Sequence, residues 1–126
     1  MIEEEVMART PKTIFCDLDG TLVKHSNPVE IQNPDLELEV LPGVHDKLRE
    51  WDSKRYCVVI TTGRKESARQ STIKQLQSAG IPYDLLIMGF GGGDRVIIND
   101  RKLNSDKDTA YAINLNRNEG VKNVKI

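Results

Sequence analysis

Short apolar runs alternating with helix-patterned segments predict an α/β fold with a mainly parallel sheet and right-handed crossovers. Three observations carry the prediction. "TIFCDL" at 13–18, "YCVVIT" at 56–61, "YDLLIM" at 83–88 and "RVIIN" at 95–99 have the length and apolar content of buried strands. Segments with helical spacing separate the earlier of these runs. Several runs also end in acidic or hydroxyl groups, and a parallel sheet of this kind collects its ligand at the carboxyl ends of its strands.

In chain order, "TIFCDL" runs into Asp-Gly turn chemistry and is the first strand. Residues 22–41 hold two turn signals, Asn27-Pro28 and Asn33-Pro34, and then the alternating "LELEV", which predicts a small half-exposed strand inside a loop or hairpin excursion. After Pro42-Gly43, Val44, Leu48 and Trp51 fall at i, i+4 and i+7, one face of a helix. "YCVVIT" is continuously apolar, as a central strand covered on both faces should be. "RKESARQSTIKQLQSAG" reads as a helix with Ile73, Leu76 and Ala79 on its buried side and Gly80 as C-terminal cap. "YDLLIM" and "RVIIN" are the third and fourth strands. "TAYAINL" at 109–115 alternates Tyr111, Ile113 and Leu115 and is read as a fifth strand, although Ser105 with Asp108 could cap a helix there.

The chain has 126 residues, the size of one domain. With 18 basic and 19 acidic groups it has no excess charge with which to capture nucleic acid or an anionic membrane. No apolar run approaches a membrane span and the first residues are acidic, so a cytoplasmic location is the default expectation. Cys16 and Cys57 sit in apolar runs as small buried hydrophobes, and His25 and His45 show no zinc-ligand spacing.

The chemistry is expected at three strand ends: Asp17 and Asp19 in "DLDGT", Thr61, Thr62 and Arg64 in "TTGR", and Asn99 with Asp100 in "ND". Gly20 lets the backbone leave the strand and splay the two aspartates apart. One carboxylate can then attack phosphorus while the other exchanges a proton, provided a cation suppresses their repulsion. Mg²⁺, a hard ion that prefers oxygen, is the simplest choice, with Asp100 as a further ligand.

"TIFCDLDGTL", "VVITTGR" and "VIIND" resemble the first, second and fourth motifs of the haloacid dehalogenase superfamily. The resemblance spans residues 13–100. It implies a Rossmann-like three-layer sandwich forming a single catalytic domain over 1–126, with no cap domain and a short flap at 22–41. It further implies that Asp17 is the nucleophile, Asp19 the general acid/base and a backbone-carbonyl ligand of Mg²⁺, and Thr62 a hydroxyl bound to the transferring phosphoryl group. Asp100 would be the downstream metal carboxylate, with Asn99 where many members carry another acid. Gly20, Thr21, Gly63, Arg64 and Lys65 would surround the substrate. Asp at position 19 marks phosphatases in this family.

The family's third motif is a cation placed shortly before the fourth-motif strand, where this chain has "GFGGGDR". These glycines lack a phosphate-loop pattern and are read as a tight corner between two strands, with Arg95 as the cation ahead of Lys65, Lys74 and Lys102. The expected reaction is Mg²⁺-dependent hydrolysis of a small phosphorylated metabolite such as a sugar phosphate, a step of carbohydrate metabolism. A second subunit could close the capless site. A polynucleotide 3′-phosphatase ranks second, because 5% aromatics and a net charge of −1 suit an open nucleic-acid surface poorly. A catalytically weak binding module ranks third, on the strength of Asn99. Lys24, His25 and Arg117 are read as surface groups that could also touch the site edge.

Overall fold

The computed structural model describes residues 10–126, so the acidic start lies outside the described residues. Three strands form a parallel sheet in the order β1 (Thr13–Asp17), β2 (Cys57–Thr61), β3 (Leu85–Ile87). As the unbroken apolar run predicts, β2 is central, with Val58, Val59 and Ile60 all buried. The register sets Asp17 opposite Thr61 and Thr61 opposite Ile87, so all three strands stop level and their exit loops leave one edge together.

Among the described residues three α-helices complete the elements. The short α1 (Pro28–Ile31) lies in the excursion, capped by Asn27, whose side-chain oxygen accepts the Glu30 N–H at 2.8 Å. In α2 (Val44–Ser53) the predicted stripe of Val44, Leu48 and Trp51 is buried. A 3₁₀ turn at Glu66–Ala68 leads into α3 (Arg69–Ser78), which stops at Gly80 as predicted. There the Gly80 N–H donates to the Gln77 carbonyl and the Ile81 N–H to that of Leu76, satisfying the last turn's carbonyls.

The core joins these helices to the excursion through Leu22, Val23, Leu38 and Leu41, and to the chain end through Val121 and Val124. The chain end is tightly seated. A Cβ on Gly120, at φ +86, would lie 2.5 Å from the Pro42 carbonyl oxygen, and the next residue's N–H, that of Val121, donates to the same oxygen.

Four expectations fail here. "LELEV" forms no strand: only Val40 makes a bridge, antiparallel to Val23, although Leu38 is buried and Glu37 and Glu39 are exposed as the alternation implied. The buried side of α3 is Ser71, Thr72, Gln75 and Leu76; of the predicted stripe Leu76 is buried and Ala79 packs half-buried against the core, while Ile73 is only half-buried and polar residues take its place. "RVIIN" and "TAYAINL" are not strands either; Val96, Ile98 and Tyr111 are 80%, 93% and 60% exposed. Apolar alternation becomes a strand only where a sheet edge takes its backbone groups, and no strand pairs with the outer edge of β1 among the described residues. The glycine run therefore turns a corner out of β3 without entering another strand.

Replacing Gly120 with Ala forces a side chain into the Pro42 backbone at a left-handed φ. It should cost more than about 1 kcal/mol of stability, read as a lower urea midpoint, with faster hydrogen exchange at Val121 and Val124. An unchanged midpoint would show that the chain end does not clamp the core.

Candidate functional site

After β1 the chain wraps around one carbonyl. The Leu18 oxygen accepts the N–H groups of Thr21, Leu22 and Val23 at 3.2, 2.9 and 3.2 Å, while the Gly20 N–H donates to the Val23 oxygen at 2.7 Å. Gly20 adopts φ +89, which an L side chain rarely tolerates. The turn separates the two aspartates as its sequence predicts. Asp17 keeps an exposed carboxylate, to which the Thr21 hydroxyl donates at 3.2 Å. Asp19 is drawn inward.

What draws it is Arg64. Its guanidinium is buried and forks onto Asp19, with Nε donating to Oδ2 at 2.9 Å and Nη2 to Oδ1 at 2.8 Å. Its third nitrogen, Nη1, donates to Thr72 Oγ1 at 3.0 Å and Gln75 Oε1 at 2.6 Å. Arg64 was expected around the substrate; it is instead committed to partners inside the protein. Thr72 and Gln75 escaped the sequence reading. Their signal was two polar residues on the same helix face as Leu76, where a core stripe should be apolar.

Surrounding protein displaces water from Asp17 and raises its pKa, and the charge of Asp19 pushes the same way. Hydrogen bonds from the Thr21 hydroxyl and the Leu18 N–H pull it back, as does the positive charge of Arg95. Next door, burial and the Asp17 charge push the Cys16 thiol up to about 12, leaving it an inert core group.

Arg95 reaches this neighbourhood from the glycine run. The Gly89 N–H donates to the Arg64 carbonyl at 2.8 Å and the Phe90 N–H to that of Thr62 at 3.1 Å, hanging the run from the end of β2. Arg95 curls back on it, donating from Nη1 to the Gly91 and Gly93 oxygens at 2.8 and 2.6 Å, with its guanidinium 5.2 Å from the Phe90 ring centre. Thr62 is buried, its hydroxyl oxygen accepting the Arg64 N–H at 3.1 Å. Gly63 sits against the Phe90 carbonyl, where a Cβ would be 3.2 Å away. Lys65 is exposed at the start of the 3₁₀ turn, and Lys74 pairs with Asp35 rather than with the site.

Asn99 and Asp100 are not brought to Asp17. They close a loop of their own, with Asn99 Nδ2 donating to Thr109 Oγ1 at 2.6 Å and the Thr109 hydroxyl to the Asp100 carbonyl at 2.5 Å. With no strand at 95–99, nothing carries them to the sheet edge. Among the described residues no three acidic, histidine or cysteine side chains gather as a metal set. From the other end of the chain, the Asn118 N–H donates to the Gly20 carbonyl at 2.8 Å, and a Cβ on Gly20 would meet Arg117 Cγ at 3.1 Å. Arg117 thus braces the loop and makes no ion pair among the described residues. Lys24 pairs with Glu39 at the surface.

No family model and no curated protein matches the chain. Among solved structures it is similar to a chain of the Pnkp1/Rnl/Hen1 RNA repair complex, with 28% identity and a TM-score of 0.54 over 68% of this chain and 28% of that one. A second structure of the Pnkp1/Rnl/Hen1 complex gives 28% and 0.54 over 64% and 28%. This chain therefore spans just over a quarter of the length of those relatives. A D,D-heptose 1.7-bisphosphate phosphatase from B. bronchiseptica, complexed with magnesium and phosphate, is more distant at 21% and 0.44 over 66% and 52%. A parallel α/β sheet whose first strand ends in Asp-x-Asp-Gly-Thr is a haloacid dehalogenase-like fold. This chain has that fold, with a short flap and no cap among the described residues.

A carboxyl whose pKa is higher in the folded than in the unfolded protein holds its proton more tightly when folded. Its contribution to stability is full below the ordinary aspartate value and is lost as pH rises through the folded value. Asp17→Asn should therefore melt higher than wild type at pH 7, with the gain vanishing near pH 3. A gain equal at both pH values would show that the Asp17 charge is not the cause.

Proposed function

We propose that the chain hydrolyses phosphate monoesters through a covalent intermediate on Asp17. The observation that supports this most strongly is the division between the two aspartates: Asp17 keeps an accessible carboxylate at the sheet edge, while Asp19 is held beside it by a buried Arg64. Asp17 would attack phosphorus, forming its own oxygen–phosphorus bond as the ester oxygen leaves. Asp19 would give that oxygen its proton, then take one from the water that releases phosphate. Arg64 occupies one lone-pair site on each Asp19 oxygen, so the carboxylate keeps capacity for this exchange. Thr62 would meet the phosphoryl group at the end of β2. Arg95 would offset the charge on Asp17 and phosphate.

Mg²⁺ fits this donor set in a reduced form. The ion commonly takes one or two carboxylates and completes its shell with water and phosphate oxygens, which Asp17 and the Asp19 main-chain carbonyl could support without Asp100. When bound, it would neutralise phosphate oxygens.

For the substrate we favour a small phosphorylated metabolite such as a sugar phosphate, because a net charge of −1 and 5% aromatics do not build a nucleic-acid surface. A phosphorylated RNA end is the second reading, favoured by the 28% identity with a chain of an RNA repair complex. A second copy of the chain closing the site belongs to the first reading.

Purified protein with Mg²⁺ should release p-nitrophenol from its phosphate, and Asp17→Asn should lower kcat by at least about a hundredfold. Equal rates in the two proteins would refute the proposal. Arg95→Ala should lower kcat/KM by about tenfold to a hundredfold. In a panel of sugar phosphates and 3′-phosphorylated oligonucleotides the sugars should be preferred; the reverse order would establish the second reading.

A further inference from the structure

Gln75 has a side chain with no exposed surface, and each of its polar atoms faces a partner of fixed character. Oε1 accepts from Arg64 Nη1 at 2.6 Å; Nε2 donates to the Ile31 carbonyl at 2.9 Å and the Asn33 carbonyl at 2.8 Å. Guanidinium can only donate and a carbonyl can only accept, so the amide has a single allowed orientation. Turning it over would set donor against donor and acceptor against acceptor. A buried side chain of this kind is costly unless fully satisfied, and here the satisfaction spans two parts of the molecule.

One of those parts is the Arg64–Asp19 fork; the other is the tip of the flap. The flap base is fixed near the sheet, with the Lys24 N–H donating to the Glu39 carbonyl and the Leu41 N–H to that of Leu22. Its tip, residues 27–35, makes its remaining hydrogen bonds within itself and to the adjacent Leu36. Among the described residues the tip is tied elsewhere through Gln75 and through the exposed Lys74–Asp35 pair at 2.8 Å. An exposed pair of this kind holds weakly because water screens it. The buried amide is the firmer tie.

We propose that Gln75 is a positioning residue: it locks the flap tip, through Arg64, to the orientation of the Asp19 carboxylate. A flap seated on Ile31 and Asn33 holds the amide, the amide holds Arg64 Nη1, and the fork holds both oxygens of Asp19. Displacing the flap strips Nε2 of both its acceptors and frees the amide to turn away from Arg64, which would leave Nη1 with Thr72 and loosen the guanidinium. Flap position and the orientation of the Asp19 carboxylate are thereby one equilibrium, and by linkage each side acts on the other. The catalytic half of the proposal rests on the phosphatase reading; the mechanical half does not.

Two measurements test it. Hydrogen exchange at flap amides such as those of Ile31 and Asn33 should speed up at least about fivefold in Gln75→Met, and also in Asp19→Asn, which sets an amide N–H₂ against the guanidinium from across the network. Lys74→Ala should change it by less than about twofold. Should Gln75→Met not fold, Asp19→Asn decides the exchange test by itself, and unchanged flap exchange in that variant overturns the coupling. For catalysis, p-nitrophenolate leaves without a proton whereas an alkoxide needs one. Gln75→Met should therefore lose about tenfold in kcat/KM on glycerol phosphate and less than about threefold on p-nitrophenyl phosphate. Equal losses on both esters would reduce Gln75 to a structural role. A wild-type protein that cleaves neither ester would refute the phosphatase reading, and the exchange result would still decide the coupling.

Discussion

A guanidinium taken out of water must be met by acceptors, and Arg64 is met by Asp19, Thr72 and Gln75 at once. Removing one partner from such a buried pair costs about 3–5 kcal/mol, because the survivor is left charged and unpaired. The exposed Lys24–Glu39 pair, 3.8 Å apart, is worth a fraction of that. This fork decides the chemistry of the sheet edge. Of two aspartates two residues apart, it binds one to the protein and leaves the carboxylate of the other accessible, the division that the proposed reaction requires.

The fork can form because the strands stop in register. Asp17, Thr61 and Ile87 lie in one row across the sheet, so the loop carrying Asp19 and the loop carrying Arg64 leave side by side. Gly20 turns the first loop at φ +89, and the chain end braces it through Asn118 and Arg117. The glycine run hangs from the second loop and brings the Arg95 charge within reach of Asp17. In the free protein Arg95 is held by the Gly91 and Gly93 carbonyls, so a phosphate would have to draw it from those neutral acceptors. A charged acceptor is about twice as strong as a neutral one, which favours that exchange.

Much of this was legible in the sequence. Continuous apolar runs bounded by turn residues gave β1, β2 and β3, and the spacing of Val44, Leu48 and Trp51 gave α2. "DLDGT" disclosed the loop that splays the aspartates, since only a glycine turns so sharply there. The buried face of α3 was not legible: Thr72 and Gln75 look like surface residues until Arg64 supplies a buried partner for them. Residues 95–99 and 109–115 carry strand patterns, but a pattern records what a segment can do, and neither segment pairs with the open outer edge of β1. Asp100 was expected at the site on the strength of that missing strand, and it lies in the 99–109 loop instead.

The central claim is that Asp17, and not Asp19, takes the phosphoryl group. Acid quenching during turnover of a phosphate ester traps an acyl phosphate, and peptide mass mapping then locates it. The account predicts a phosphoryl group on the peptide containing Asp17, assigned by fragmentation to that residue and missing in Asp17→Asn. A phosphoryl group on Asp19, or hydrolysis of the ester with no trapped intermediate in repeated quenches, would contradict it.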